Sequence, residues 1–168
     1  MATVYNLLDV EQNHNFYANG ILVHNRCCFI AGTEILLSNG DSKNIEDIIV
    51  GDEVIGWKNG KRSNGVVSEL KPTLLGGRSL YNINDFKITF TDEHPFLTKD
   101  GWKSIAPDEG TDYGILKVGD IINKDDEWIQ IKEINKIEEE FQYDTPVYNF
   151  TVKDIHSYIA DGIVVHNK

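Results

Sequence analysis

Three short stretches carry the residues whose types and spacing can do chemistry. The first runs Cys28-Phe29-Ile30-Ala31-Gly32-Thr33, a thiol at the start of an apolar stretch. The second is Thr91-Asp92-Glu93-His94-Pro95, a hydroxyl three residues ahead of an imidazole. The third is His166-Asn167, directly behind the apolar Ile163-Val164-Val165. A thiol attacks carbonyl carbon as its thiolate, a small share near neutral pH that a nearby cation enlarges. Imidazole titrates close to neutrality and can move the proton that such an attack requires. An Asn side-chain amide, held in a near-attack pose, can attack its own main-chain carbonyl, close a succinimide and cut the chain behind it. Taken singly, each stretch is ordinary: a Cys on a strand is usually core, a Thr and a His near a turn are usually surface. Their order along one chain is what points to chemistry.

Cys27 and Cys28 are the only cysteines, and they are adjacent. Neighbouring cysteines bridge badly and close almost no loop, so a stabilising disulfide is not expected. A zinc site needs spaced ligands such as CxxC, which the chain lacks, and no cofactor is expected. Thiol chemistry or two inert buried thiols remain, and either suits a reducing environment.

A length of 168 residues suits one domain with a real core. Hydrophobic residues make up 40% and charged residues 26%, the make-up of an ordinary globule. The formal net charge of -11 repels phosphate backbones, which argues against nucleic-acid binding. No apolar run approaches the roughly 18 to 20 residues that cross a bilayer, so no membrane partner is expected. The opening MATVYNLLDVEQ has neither a basic flank nor a long apolar stretch, so no secretory signal is visible.

The elements that must position these residues read as strands. Phe86, Ile88 and Phe90 alternate with Lys87, Thr89 and Thr91, the period of a half-buried strand, and Tyr148, Phe150 and Val152 alternate likewise. Asn39-Gly40, Asn59-Gly60 and Asp100-Gly101 supply hairpin turns. A single helical turn is expected around Ile45 to Ile49, with long loops at 72–79 and 107–114. The chain also repeats itself. With one gap, residues 4–25 align with 147–167: Val4-Tyr5-Asn6 matches Val147-Tyr148-Asn149, His14 matches His156, Gly20 matches Gly162, and His24-Asn25 matches His166-Asn167. Inside the body, Val50-Gly51-Asp52 and Val118-Gly119-Asp120 occupy similar places in two similar runs, which suggests two related halves.

In that order the three motifs resemble those of the Hint family: inteins, hedgehog autoprocessing domains and bacterial intein-like domains. CFIAGT from Cys28 resembles the family's N-terminal motif, Thr91 with His94 its TxxH motif, and VYNFTV through His156 to His166-Asn167 its C-terminal motifs. The resemblance covers Cys28 to Asn167 almost end to end. It implies an all-β Hint horseshoe of short strands with two pseudo-symmetric halves. The gap between the TxxH motif and the tail leaves no room for an inserted homing endonuclease, so a mini form is expected.

The family's chemistry, carried over residue by residue, makes the chain a single-turnover domain acting in cis on its own flanking segments. Cys28 attacks the carbonyl of Cys27, turning an amide into a thioester. His94 delivers a proton to the departing nitrogen, and Thr91 holds the scissile carbonyl or orients His94 from the polar side of its strand. Asn167 cyclises, with His166 polarising the carbonyl or protonating the leaving amine and His156 assisting. The family often has Asp where Asn149 stands, which puts a proton-transfer role there in question. Lys168 occupies the place where splicing needs a Cys, Ser or Thr, so self-cleavage is expected and ligation is weak or absent. Residues 1–25 read as a duplicated C-terminal tail ahead of a domain spanning 28–167. Two tails and one groove would permit tail exchange between molecules. The competing readings are an inert Hint-fold spacer or binding module and, more weakly, a cysteine peptidase acting in trans.

Overall fold

The structure is a computed structural model that describes residues 27–108, 110–138 and 141–167, and the backbone of 15–18 and 21–24. Strands dominate, and among the described residues the helical content is a single 3-10 turn, Ile45–Asp47, where the sequence placed one. The largest sheet orders Gly114–Ile115, Gly101–Ser104, Phe96–Thr98, Ile121–Lys124, Ile163–His166, Ser157–Ala160, Glu34–Leu36 and Ser42–Asn44, with Glu127–Gln130 paired to Ile121–Lys124. A second sheet orders Ile134–Lys136, Leu80–Ile83, Phe90–Thr91, Phe29–Ile30, Pro146–Tyr148 and Thr73–Leu74. A third joins Phe150–Val152, Lys61–Leu70 and Glu53–Lys58. The first and last described stretches of the body therefore meet: Phe29 pairs with Tyr148 on one side and Phe90 on the other.

Local sequence explains the turns. Asn59 and Gly60, with φ of 52° and 79°, close the hairpin between Lys58 and Lys61, because both tolerate the positive φ that a two-residue hairpin loop demands. Asn39-Gly40 lies between Glu34–Leu36 and Ser42–Asn44. The strand expected over 86–91 is shorter than its alternation implies, only Phe90–Thr91. Asn84, at φ 52°, turns the chain just ahead of it, and its side-chain oxygen accepts the backbone N–H groups of Lys132 and Glu133 at 2.8 and 3.2 Å. Ile88 and Phe90 keep their places in the core without a continuous ladder. The loop over 72–79 contains the short strand Thr73–Leu74, and the one over 107–114 is loop as expected.

The two halves are related, as the weak Val-Gly-Asp match implied. Gly51 and Gly119 have φ of 96° and 98°. Gly51 N–H donates to Val67 carbonyl and Val67 N–H to Asp52 carbonyl, both at 2.9 Å. Gly119 and Ile131 with Asp120 repeat that pair of bonds at 2.9 and 2.8 Å. Each Asp also accepts a backbone N–H three residues back, from Ile49 and Lys117, and a lysine, Lys43 or Lys103, at 2.8 Å. A glycine is required because the turn needs left-handed φ there.

One core serves both halves. Phe29, Phe90, Phe96, Phe150 and Tyr158 are fully buried, with Phe150 stacked on Tyr158 at 4.2 Å. The closing hairpin, Ser157–Ala160 with Ile163–His166, runs through the middle of the largest sheet. Its turn residue Gly162 has φ +81°, and a side chain there would strike Asp125.

Candidate active site

The bond between Cys27 and Cys28 is held from both ends. On one side, Asn149 Nδ2 donates to the Cys27 carbonyl oxygen at 2.9 Å and touches Cys27 Sγ at 3.4 Å. On the other, Cys28 N–H donates to Thr91 Oγ1 at 2.8 Å. Thr91 hydroxyl donates in turn to Cys28 carbonyl at 3.4 Å, and Thr91 N–H donates to that same oxygen at 3.0 Å. Thr91 is fully buried rather than on a polar strand face. It thus holds the nitrogen of the Cys27–Cys28 bond, and Asn149 holds the carbonyl.

Asn149 can serve this way because its amide is oriented by its neighbours. Its Oδ1 accepts Phe150 N–H at 2.8 Å and Tyr158 hydroxyl at 2.9 Å. A backbone N–H can only donate, so that atom must be the oxygen and the other the nitrogen. Burial pushes the Tyr158 phenol well above its ordinary range, with charge on the two cysteines adding, so its proton stays available to donate. The sequence discounted Asn149 because a carboxylate often stands there. The signal that could have found it was the VYN triplet repeated at Val4-Tyr5-Asn6.

His94 follows Thr91 by one turn, its N–H donating to Thr91 carbonyl at 3.0 Å. Its ring is fully buried, 4.1 Å from Phe29, with Phe96 and Tyr158 edge-on. Neither ring nitrogen has a hydrogen-bond partner among the described residues. Burial, and then the charge of His166, hold His94 well below the ordinary histidine range, so the resting ring is neutral near pH 7. A neutral ring can accept a proton before it gives one. Glu93 beside it is raised to about 7 by burial and by the charge of Asp92.

Asn167 is fully buried, and neither its Oδ1 nor its Nδ2 has a hydrogen-bond partner among the described residues. Its backbone N–H donates to the His156 carbonyl at 3.0 Å, while His166 N–H donates to Pro95 carbonyl at 3.0 Å, next to His94. The His166 ring lies edge-on to Trp102 at 4.9 Å, with Nδ1 3.3 Å from the Tyr113 hydroxyl. His156 has φ 49° and an exposed side chain, so it meets Asn167 through its main chain. Lys168, Asn25 and Arg26 lie outside the described residues, as does most of the 1–25 copy. Among the described residues no group of three His, Cys, Asp or Glu side chains could hold a metal ion.

No protein-family model and no curated protein matches the chain. Solved structures do. A bacterial intein-like domain from Clostridium thermocellum is 29% identical, with a TM-score of 0.66, covering 83% of this chain and 98% of that one. A DnaB intein from Synechocystis sp. PCC 6803 is 24% identical (TM-score 0.64; 85% of this chain, 99% of that one). The gp41-1 intein is 23% identical (TM-score 0.64; 85% and 100%). At those last two identities the likeness speaks for the fold alone, and it agrees with the strands, the related halves and the meeting of the body's two ends. The chain therefore has the Hint fold, the fold of the inteins and the bacterial intein-like domains.

Proposed function

We propose that this autoprocessing domain cuts its own chain at two bonds, Cys27–Cys28 and Asn167–Lys168, and joins the flanks weakly or not at all. The observation that carries this reading is the grip on the first bond, with a donor on its carbonyl oxygen and an acceptor on its nitrogen. Cys28 Sγ attacks the Cys27 carbonyl carbon. Asn149 Nδ2 stabilises the oxygen as it becomes negative, the role of an oxyanion-hole donor. Neutral His94 takes the thiol proton and returns it to the departing Cys28 nitrogen, while Thr91 keeps that nitrogen in place. Base first and acid second suits a ring with a lowered pKa better than a resting imidazolium does.

The second cut belongs to Asn167. Its amide is buried without a hydrogen bond among the described residues, a state costing about 1 to 3 kcal/mol per unmet group. No hydrogen bond to a described residue has to break before Nδ2 swings onto its own carbonyl. His166 assists the leaving amine, and His156 positions Asn167 through its carbonyl. Lys168 brings an ammonium, not a hydroxyl or thiol, so the thioester goes to water or an added thiol.

Residues 1–25 are proposed to be a second C-terminal tail and 28–167 the domain itself. Asn15–Ala18 pairs with Ile21–His24 in the register Asn15–His24, Phe16–Val23, Tyr17–Leu22, Ala18–Ile21. The closing hairpin pairs Ser157–His166, Tyr158–Val165, Ile159–Val164 and Ala160–Ile163, position for position the same. The residues whose backbones join that hairpin to the body, Ala160, Ile163 and Val165, are identical in the copy at Ala18, Ile21 and Val23. That identity supports a copy able to enter the same slot, in its own body or a neighbour's.

The test is the chain with a tag on each end, followed by mass with and without an added thiol. Expected are thiol-accelerated loss of the front tag, slow loss of the rear tag, and almost no joined flanks. Lys168→Cys should raise the joined product. Abundant joining from the unaltered chain would refute the account, and a chain that never changes mass would leave a rigid inert module.

A further inference from the structure

Cys28 Sγ lies in an apolar cluster with Leu75, Leu80 and Val147, all buried. Such surroundings favour the neutral thiol, which is a poor nucleophile. The proposed acyl shift therefore needs a source of positive charge at the sulfur. His94 does not provide it at rest, since its ring is neutral.

Arg78 reaches the sulfur directly, with Nη1 3.7 Å from Cys28 Sγ. The rest of the guanidinium is tied down. Nε donates to the Leu75 carbonyl at 2.9 Å and Nη2 to the Leu74 carbonyl at 2.7 Å. The loop that carries it is pinned in turn, with Leu75 N–H on Thr145 carbonyl and Gly76 N–H on Tyr143 carbonyl, both at 2.8 Å. Leu74 pairs with Pro146, next to Val147 of the same cluster. The planar fork thus bonds its own loop through two nitrogens and turns a third toward the thiol, while its charge also acts on Glu93, an arrangement that Lys could not copy bond for bond. Nothing in the PTLLGGRS stretch marks this in sequence, because Arg78 and Cys28 stand 50 residues apart.

We propose that Arg78 is a catalytic residue of the thioester step, supplying the counter-charge for the Cys28 thiolate as it forms and again as it leaves. The proposal rests on the acyl-shift reading above. The thiol proton passes to His94, and Sγ, its charge balanced by Arg78, bonds to the Cys27 carbonyl carbon. The bond from that carbon to the Cys28 nitrogen breaks, and the nitrogen takes the proton from His94, so no atom is gained or lost. When an added thiol attacks the thioester, Cys28 departs as thiolate and meets the same guanidinium.

The test uses the full chain carrying Cys27→Ala, with Arg78, Arg78→Lys or Arg78→Met, and two readouts across pH. One is thiol-induced cleavage before Cys28, and the other is alkylation of Cys28 by iodoacetamide. An opposite charge at contact shifts such an equilibrium by about one unit or more, so Arg78→Met should slow both about tenfold or more near neutral pH. The loss should shrink toward about pH 9, where thiolate forms without help, and Arg78→Lys should recover part of the rate. A purely structural arginine would slow both readouts equally at every pH. That outcome, or an Arg78→Met chain within about twofold of its parent, would overturn the proposal. If the parent never cleaves, the acyl-shift reading fails, yet the alkylation profile still decides whether Arg78 governs the thiol.

Discussion

Replacing Asn149 tests the grip on the Cys27 carbonyl most directly. Its Nδ2 stands 2.9 Å from the oxygen that must take up negative charge, in a buried site. Removing one such donor elsewhere costs about 100- to 1,000-fold, or roughly 3 to 4 kcal/mol in the transition state. Asn149→Ala should therefore slow thiol-induced cleavage by about that factor. The same change strips Tyr158 hydroxyl and Phe150 N–H of their acceptor, an expected loss of about 1 to 3 kcal/mol in stability per buried group. The two costs are separable: urea unfolding reports the second, while single-turnover cleavage of the folded fraction reports the first. Asn149→Asp sharpens the comparison. A protonated carboxyl can still donate to the carbonyl oxygen, whereas an ionised one faces it acceptor to acceptor. Cleavage by that variant should fall as pH rises through the titration of the new carboxyl, a drop the parent lacks. Asn149→Ala cleaving within about threefold of the parent would refute the oxyanion role and leave Asn149 a structural amide.

Cys28→Ala should abolish thiol-induced release while Cys27→Ala keeps most of it, and the reverse result, read by mass, would put the nucleophile one residue earlier. Glu93 sits near pH 7 against an ordinary 4.5, so the folded protein binds its proton more tightly than the unfolded chain does. Stability from this group is full below about 4.5 and is lost as pH rises through 7, roughly 3 kcal/mol in all. Glu93→Gln should flatten that decline in urea unfolding at acid and neutral pH; an unchanged slope would discard the assignment. For the duplicated hairpin, an Asn167→Ala chain should release a fragment ending at Asn25. Gly20→Val should stop that release, because Gly162, its counterpart, has no room for a side chain against Asp125. Equal release with and without Gly20→Val would show that the copy never uses the slot.

The CFIAGT run, the TxxH pair and the terminal His-Asn stand out in the sequence because each is local: a few neighbouring residues carry the whole signal. The paired Val-Gly-Asp turns were legible for the same reason, since their glycine and aspartate serve bonds within three residues. What joins distant segments was legible only through the resemblance, which put Thr91 at the Cys27–Cys28 bond 63 positions away, and not at all for Asn149, which meets Cys27 across 122. Alternation from Phe86 to Thr91 found Ile88 and Phe90 in the core but overstated the strand, because the side-chain bonds of Asn84 reach 48 positions along the chain. Thr91 was placed on a polar face by that alternation. The hydroxyl instead points inward, where a backbone N–H satisfies it.

The place of the last strand sets a clock. Ile163–His166 is the last strand among the described residues, yet it lies in the interior of the largest sheet, between Ile121–Lys124 and Ser157–Ala160. Phe29–Ile30, near the front, needs Pro146–Tyr148 as its partner. A chain emerging from the ribosome front first therefore exposes Cys28 long before the residues that grip its upstream bond exist. Asn149, Tyr158 and His166 are all made in the last twenty positions before Lys168. On the proposed mechanism, a chain without these residues carries the thiol but cannot fire it, and scission waits for a tail to close the sheet. On that mechanism the cut reports that the sheet has closed.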